Sequence, residues 1–363
     1  MQAFLDHEFL PAAALARITE LRLTDKECSV RAARTRKRRS TLTPDGKLNI
    51  LAADHPARRV TKVGDNPLKM ADRHGYLARI VRVLQSDVVD GVMATMDILE
   101  DLLILDHLIR EAGGPAFLDD RLLIASLNRG GLAGSSWEMD DPVTGPSPAT
   151  CAALNLDGAK LLLRICDEES SSLSTMRYCA RAITEMNALG LPTFLEPLPV
   201  VKSNDSYRVV KTSEALAKIV GVASALGDSS RYLWLKLPYC EDYEVVAGAT
   251  TLPILLLGGE SVGDATPLLR EVAAGLSAGS NVRGALVGRN VLYPGQDDPL
   301  VVAQAAGSII HHDSTVEEAL AGQESWRGRD MNEMAGYFDR LPSQGNIDGR
   351  LQLSTNTAIR EQP

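Results

Sequence analysis

From residue 48 onward, short apolar runs alternate with amphipathic segments. The runs cover 48–53, 91–95, 122–127, 159–165, 193–198, 232–237, 254–257 and 285–287, and each has the length and bulk of a buried strand. Between them, apolar positions recur at helical spacing near 68–86, 97–112, 148–156, 171–189, 211–226, 241–248, 264–278 and 298–309. Eight such alternations predict an α/β chain closed into a parallel (β/α)8 TIM barrel. An open doubly wound sheet often carries a Gly-rich fingerprint after its first strand, and none follows Ala53.

The flanks read differently. Residues 1–44 form an N-terminal extension with a helix near 10–22 and a basic run, Arg31, Arg34, Arg36, Lys37, Arg38 and Arg39, without an acid among them. Such a run is expected to be a solvated face or arm, or else a contact with an acidic neighbouring subunit or a phosphate. The barrel is expected over 45–312. The segment 313–363 turns polar, with a helix near 328–340, and is read as a packing or subunit-contact extension ending in a loose tail. The Gly- and Pro-rich segment 129–149 is a long loop on the side where barrels keep their chemistry, and is expected to act as a lid.

Composition narrows the function. Among 363 residues, 45% are hydrophobic but only 4% aromatic, so the core must be built mostly from Leu, Val, Ile and Ala. A net charge of -9 argues against a nucleic-acid or anionic-membrane partner, so an anionic ligand needs a local basic pocket. Five scattered cysteines with no CxxC pattern read as free thiols in a reducing cytoplasm. The N-terminus lacks a basic segment followed by an apolar run, and no apolar stretch approaches about 18 residues, so neither export nor membrane insertion is expected.

Barrel enzymes carry their catalytic groups at the C-terminal ends of strands. The first run ends Ala53-Asp54-His55, the fourth carries Lys160 and, on the same face, Arg164, the fifth carries Glu196, and the sixth ends with Lys236. Tyr232, Trp234 and Lys236 share one face of their strand, so the amine follows bulky apolar neighbours. Burial there lowers a lysine's pKa toward the range of a nucleophilic free amine, which imine chemistry on a carbonyl requires. Charges inside apolar strands are costly unless paired, so Asp54, Lys160, Glu196 and Lys236 are expected to share one polar centre. A buried ion-pair network without catalysis is the alternative. Gly258 and Gly259 after the seventh run, and Gly288 and Arg289 after the eighth, are placed to hold a phosphate. His55 either lines the pocket or turns the chain. The six histidines show neither HxH nor HExxH, so no metal is expected, and no GxSxG supports a serine hydrolase.

These segments in this order resemble the class I, Schiff-base aldolases related to archaeal-type fructose-bisphosphate and tagatose-bisphosphate aldolase, over roughly residues 48–310. The resemblance rests on Ala53-Asp54-His55, Gly158-Ala159-Lys160, Leu195-Glu196-Pro197-Leu198, Lys236-Leu237-Pro238-Tyr239, Gly258-Gly259 and Gly288-Arg289. It implies a metal-independent aldehyde-lyase in which Lys236 forms the imine, Asp54, Lys160 and Glu196 assist, and Arg289 binds phosphate. It implies no cofactor and a homo-oligomer. The fructose-bisphosphate branch has an aromatic acid/base where Leu198 stands here, so a tyrosine mechanism is not expected. The long basic preface is similar to that of actinobacterial proteins of inositol breakdown, which implies cleavage of a phosphorylated 2-deoxy-5-keto-gluconate. Four readings stay open beside this one: Lys160 as the imine former, as in transaldolase-like barrels; a deoxyribose-phosphate-type aldolase; a metal-dependent aldolase, whose activity a chelator would abolish; and a non-catalytic barrel that binds a sugar phosphate.

Overall fold

Eight parallel strands pair in a ring in the computed structural model, which describes residues 4–203, 206–259, 261 and 263–341. The strands are β1 (Leu48–Ala53), β2 (Gly91–Ala94), β3 (Leu122–Ser126), β4 (Gly158–Ile165), β5 (Thr193–Ser203), β6 (Ser206–Val209), β7 (Leu233–Pro238), β8 (Ile254–Leu257) and β9 (Val282–Val287). β1 to β5 pair in order, β5 then pairs with β7, β8 and β9 follow, and β9 returns to β1. The protein is therefore a closed (β/α)8 barrel. β6 stands outside the ring, antiparallel to the extended end of β5. This hairpin was not expected from the sequence: Ser206–Val209 is too short and too polar to read as a strand alone, and only its pairing with Val200–Ser203 makes it one.

Between the strands lie helices at Arg73–Leu84, Met96–Glu111, Pro148–Ala153, Ser171–Ala188, Ser213–Ser224, Tyr243–Gly248, Thr266–Ala278 and Pro299–His312, close to the expected spans. Asp72, Ser147, Thr212 and Asp298 accept hydrogen bonds from the first turns of four of them, which fixes where each helix starts. No described helix is long and apolar enough to cross a membrane. All five cysteines are free and buried.

Side-chain alternation sorts the strands into two cores. Leu48, Ile50, Ala52, Met93, Leu122, Ile124, Phe194, Leu255 and Leu286 point inward and plug the lower barrel, with Trp234 against Phe194. The other parity, including Leu51, Val92, Leu123, Leu161, Leu195, Leu235, Leu256 and Val287, packs under the surrounding helices. The plug excludes water from the bottom of the barrel, so polar groups on the inward face can gather only above it.

The basic stretch 31–39 is a largely solvated face, with Arg31, Arg34, Lys37 and Arg38 exposed, but it is anchored rather than a free arm. Arg36 and Arg38 both bind Asp157, Lys37 binds Asp120 at 2.6 Å, and Arg39 binds Asp90 at 2.6 Å. Asp90, Asp120 and Asp157 stand just before β2, β3 and β4, so the run is laid across the N-terminal end of the barrel and neutralised by acids of its own chain. The preceding helices are tied in the same way, by Asp6 to Arg79 at 2.9 Å and Arg22 to Asp101 at 2.7 Å. After the barrel, helices at Val316–Ala321 and Glu333–Phe338 are described. The expected loose tail falls mostly outside the described residues.

Candidate active site

The parity that builds the plug also aims the charged residues. Two positions beyond Ala52, Phe194 and Trp234 on their strands come Asp54, Glu196 and Lys236, all turned into the mouth of the barrel. Ser126 closes β3 beside Lys160 of β4 in the ladder. Exposures of 4% for Asp54, 2% for Lys160, 9% for Glu196 and 6% for Lys236 show a buried polar layer resting on the apolar plug.

One carboxylate oxygen organises this layer. Glu196 Oε2 lies 2.6 Å from Lys160 Nζ and 3.0 Å from Lys236 Nζ, so two amines from opposite neighbours of β5 meet on a single atom. Asp54 Oδ2 lies 3.6 Å from Lys160 Nζ and accepts a hydrogen bond from Ser126 Oγ at 2.9 Å. The same Oδ2 is ion-paired to Arg129, whose Nε donates to Ser126 Oγ at 2.8 Å. The four expected residues are thus brought together, and two more join them.

Burial and charge then set protonation. Burial pushes both lysines below the ordinary lysine range, Lys160 furthest; Glu196 opposes this, while Arg129 pushes the same way on both. Burial alone would raise Glu196, but the charges of Lys160 and Lys236 outweigh it and hold the carboxyl well below its usual range. One carboxylate cannot fully compensate two ammonium groups, so the pair favours a state with one ammonium and one free amine. Arg129 is pulled down to about 10 by burial and stays charged at neutral pH.

The remaining expected residues surround this centre. His55 is half-buried, pushed down to about 3 first by burial and then by Arg289 and Lys236, and is therefore a neutral imidazole; its Nδ1 makes no hydrogen bond among the described residues. Arg289 starts the helix Arg289–Leu292 and lines a cleft of about 520 Å³ with Arg59, Lys62 and Ser261. Gly288 is needed for packing: a Cβ there would sit 2.3 Å from the Ala52 carbonyl oxygen and 2.6 Å from the His55 ring. At Gly258 a Cβ would meet only ordinary contacts, and at Gly259 the nearest atom is Lys211 Nζ at 3.9 Å, so Lys211 adds a cation beside this turn.

Arg164 is not part of the lysine centre. It is ion-paired to Glu138 of the loop between β4 and the preceding strand β3 and bonds that residue's carbonyl. Arg58 donates to the Gly131 carbonyl at 2.7 Å, Gly131 N donates to Asp141 at 2.9 Å, and Asp141 N donates to Thr175 at 2.9 Å. The expected lid is a wall pinned at several points. Leu198 joins Met139, Leu162 and Val200 in a small apolar cluster above Glu196. Sequence reasoning missed Arg129 and Ser126. Ser126 lies on the inward parity of its strand and was there to be found, whereas Arg129 comes from a loop with no periodicity to point it.

Comparison with known proteins bears on the fold and the family. Cgl0159 from Corynebacterium glutamicum has a solved structure with a TM-score of 0.78 at 35% identity, covering 84% of this chain and 99% of that one. A Schiff base forming fructose-1,6-bisphosphate aldolase shares the fold with a TM-score of 0.53 at 23% identity, over 73% of this chain and 95% of that one. Among curated relatives, 2-amino-3,7-dideoxy-D-threo-hept-6-ulosonate synthase 1 of Archaeoglobus fulgidus is 31% identical over 86 residues, 24% of this chain; the chain spans only 31% of that protein's length. Residues 46–307 match the model of the Cgl0159-like family, and the chain belongs to that family.

Proposed function

We propose that this protein is a class I aldolase-type lyase that makes or breaks a carbon-carbon bond in a phosphorylated keto sugar through an imine on Lys236. The observation that carries this reading is the pair of buried amines within 3.0 Å of one carboxylate oxygen at the catalytic end of the barrel. Lys236, the less buried of the two, is reached first from the mouth. Its free amine attacks the substrate ketone to give a carbinolamine, and loss of water gives a protonated imine. A base then removes the proton of the hydroxyl on the far carbon of the scissile bond, which becomes the carbonyl of the first product. That bond's electrons pass into the imine as an enamine, which is protonated and hydrolysed to release the second product and the lysine. Both lysine contacts of Glu196 fall on Oε2, which leaves Oε1 for this proton transfer, while Asp54 orients a substrate hydroxyl or assists carbinolamine formation.

Arg129 and the one charged amine of the lysine pair stand in the centre with Asp54 and Glu196, and Arg289, Arg59 and Lys62 line the cleft beside it. A cleft lined in this way suits a phosphorylated substrate, and 5-dehydro-2-deoxy-phosphogluconate is the first compound to try. The step runs without a metal, so a chelator is expected to leave turnover unchanged.

The test is borohydride reduction in the presence of dihydroxyacetone phosphate, read by intact mass and peptide mapping. The expected result is one adduct, on Lys236, absent from K236M. Lys160 is the more deeply buried amine and supports a second reading, in which the adduct maps to Lys160. Binding of the keto phosphate without any reducible adduct would make the barrel a non-catalytic binder.

A further inference from the structure

We propose that Arg129 is the positioning residue of this centre, holding Asp54 by Oδ2 together with Ser126 and standing as a permanent cation beside the lysine pair. The inference rests on the lysine centre proposed above and explains how it is kept ready. Arg129, Ser126 and Asp54 come from the loop after β3, the end of β3 and the end of β1, and all three are buried, at 9%, 0% and 4% exposure. Their contacts close a ring: Arg129 Nε to Ser126 Oγ at 2.8 Å, Ser126 Oγ to Asp54 Oδ2 at 2.9 Å, and Arg129 Nη2 back to Oδ2. Every described contact of the aspartate falls on Oδ2, including Lys160 Nζ at 3.6 Å, so the ring fixes the carboxylate plane and leaves Oδ1 for a ligand.

The residue type matters. A guanidinium can engage two directions at once, here donating to a hydroxyl through Nε and ion-pairing with a carboxylate through Nη2, and it does not give up its proton in the working pH range. A lysine in its place would itself titrate and would hold only one direction. Because Arg129 stays charged, the loss of a proton needed to relieve like-charge crowding falls on the lysines, which are the groups able to lose one. The second lysine is therefore not the only cation that keeps its neighbour ready.

Removing the charge of Arg129 favours the protonated lysine, and the freed Asp54 carboxylate beside Lys160 pushes the same way. The experiment labels the folded protein with a small acylating reagent across pH 5 to 9, where Arg129 keeps its charge, and follows Lys236 and Lys160 by peptide mass spectrometry. In R129Q the labelling midpoint of the pair is expected to rise by about one pH unit, a roughly tenfold loss of free amine at fixed pH. In R129K the midpoint is expected to rise by less than in R129Q, because the new lysine keeps part of its charge, while kcat falls because the fork on Asp54 is lost. S126A, which opens the ring but leaves the charge, keeps the midpoint and lowers kcat about tenfold with KM within twofold. An unchanged midpoint in folded R129Q, or full kcat in S126A, overturns the proposal; if R129Q does not fold, S126A and R129K decide it. A wild-type protein that forms no reducible adduct overturns the proposed lyase chemistry, while the labelling comparison still decides the role of Arg129.

Discussion

Replacing Glu196 by glutamine removes the carboxylate that lies, alone among the described residues, within 3.0 Å of both buried amines while keeping the side chain's shape. At the observed 2.6 and 3.0 Å, Coulomb's law with an effective dielectric constant of about 20 puts each contact at roughly 6 kcal/mol before desolvation is charged against it. The net cost of removing one partner from a buried ion pair is about 3 to 5 kcal/mol. Much of it is avoidable, because an unpaired buried lysine can shed its proton. Lysines whose folded pKa lies below the unfolded value near about 10.4 make stability rise with pH through that interval, since the unfolded chain binds the extra protons. E196Q lowers the folded values further and steepens the rise. The deficit relative to wild type, read from urea unfolding, is therefore expected to be largest near pH 7 and to narrow toward pH 10. Turnover falls about 10²-fold or more, the range for loss of a positioned acid/base. A deficit that stays flat from pH 7 to 10, or turnover within a factor of about three of wild type, would refute the argument that this carboxylate both holds the amines and moves the proton.

Three further outcomes follow from other parts of the molecule. D157N leaves the guanidinium of Arg36 buried without its carboxylate, and is expected to lower stability by about 3 to 5 kcal/mol in urea unfolding; a loss under about 1 kcal/mol would return the basic run to the status of a surface feature. Burial alone would lower His311, but its bonds to Asp90 and Asp45 raise it above its ordinary value. Its contribution is therefore complete below the unfolded pKa near about 6.5 and fades as pH rises through the folded value. H311Q should flatten that decline of Tm above pH 6.5, and a parallel pH profile in both proteins would count against it. In G288A the new methyl meets the Ala52 carbonyl oxygen, so β1 and the start of the helix after β9 must part; a loss of about 1 to 3 kcal/mol is expected by thermal unfolding, with weaker trapping at Lys236. Wild-type stability in this variant would show that the turn has slack.

The barrel itself was legible because its signal is local: alternation with period two inside each run, and helical spacing between runs, are properties of neighbouring residues. The same alternation carried the expectation that Asp54, Glu196 and Lys236 face inward, since each stands two positions beyond an apolar residue of the plug. It failed where a feature depends on a distant partner. The run 31–39 gives no sign of being anchored until Asp90, Asp120 and Asp157 arrive from three strand starts, and Ser206–Val209 is a strand only because β5 continues beside it.

Sequence alone determined the number and order of the eight barrel strands, the two faces of each, and which ionisable residues end them, because these follow from backbone geometry and the cost of burying charge. Tertiary structure decided that Lys160 and Lys236 share one oxygen of Glu196, that Arg164 turns away to hold Glu138, and that Arg129 enters the site from a loop. Those outcomes depend on distances of a few ångströms between segments far apart in the chain, set when the ring closes, and no local pattern of residues encodes them.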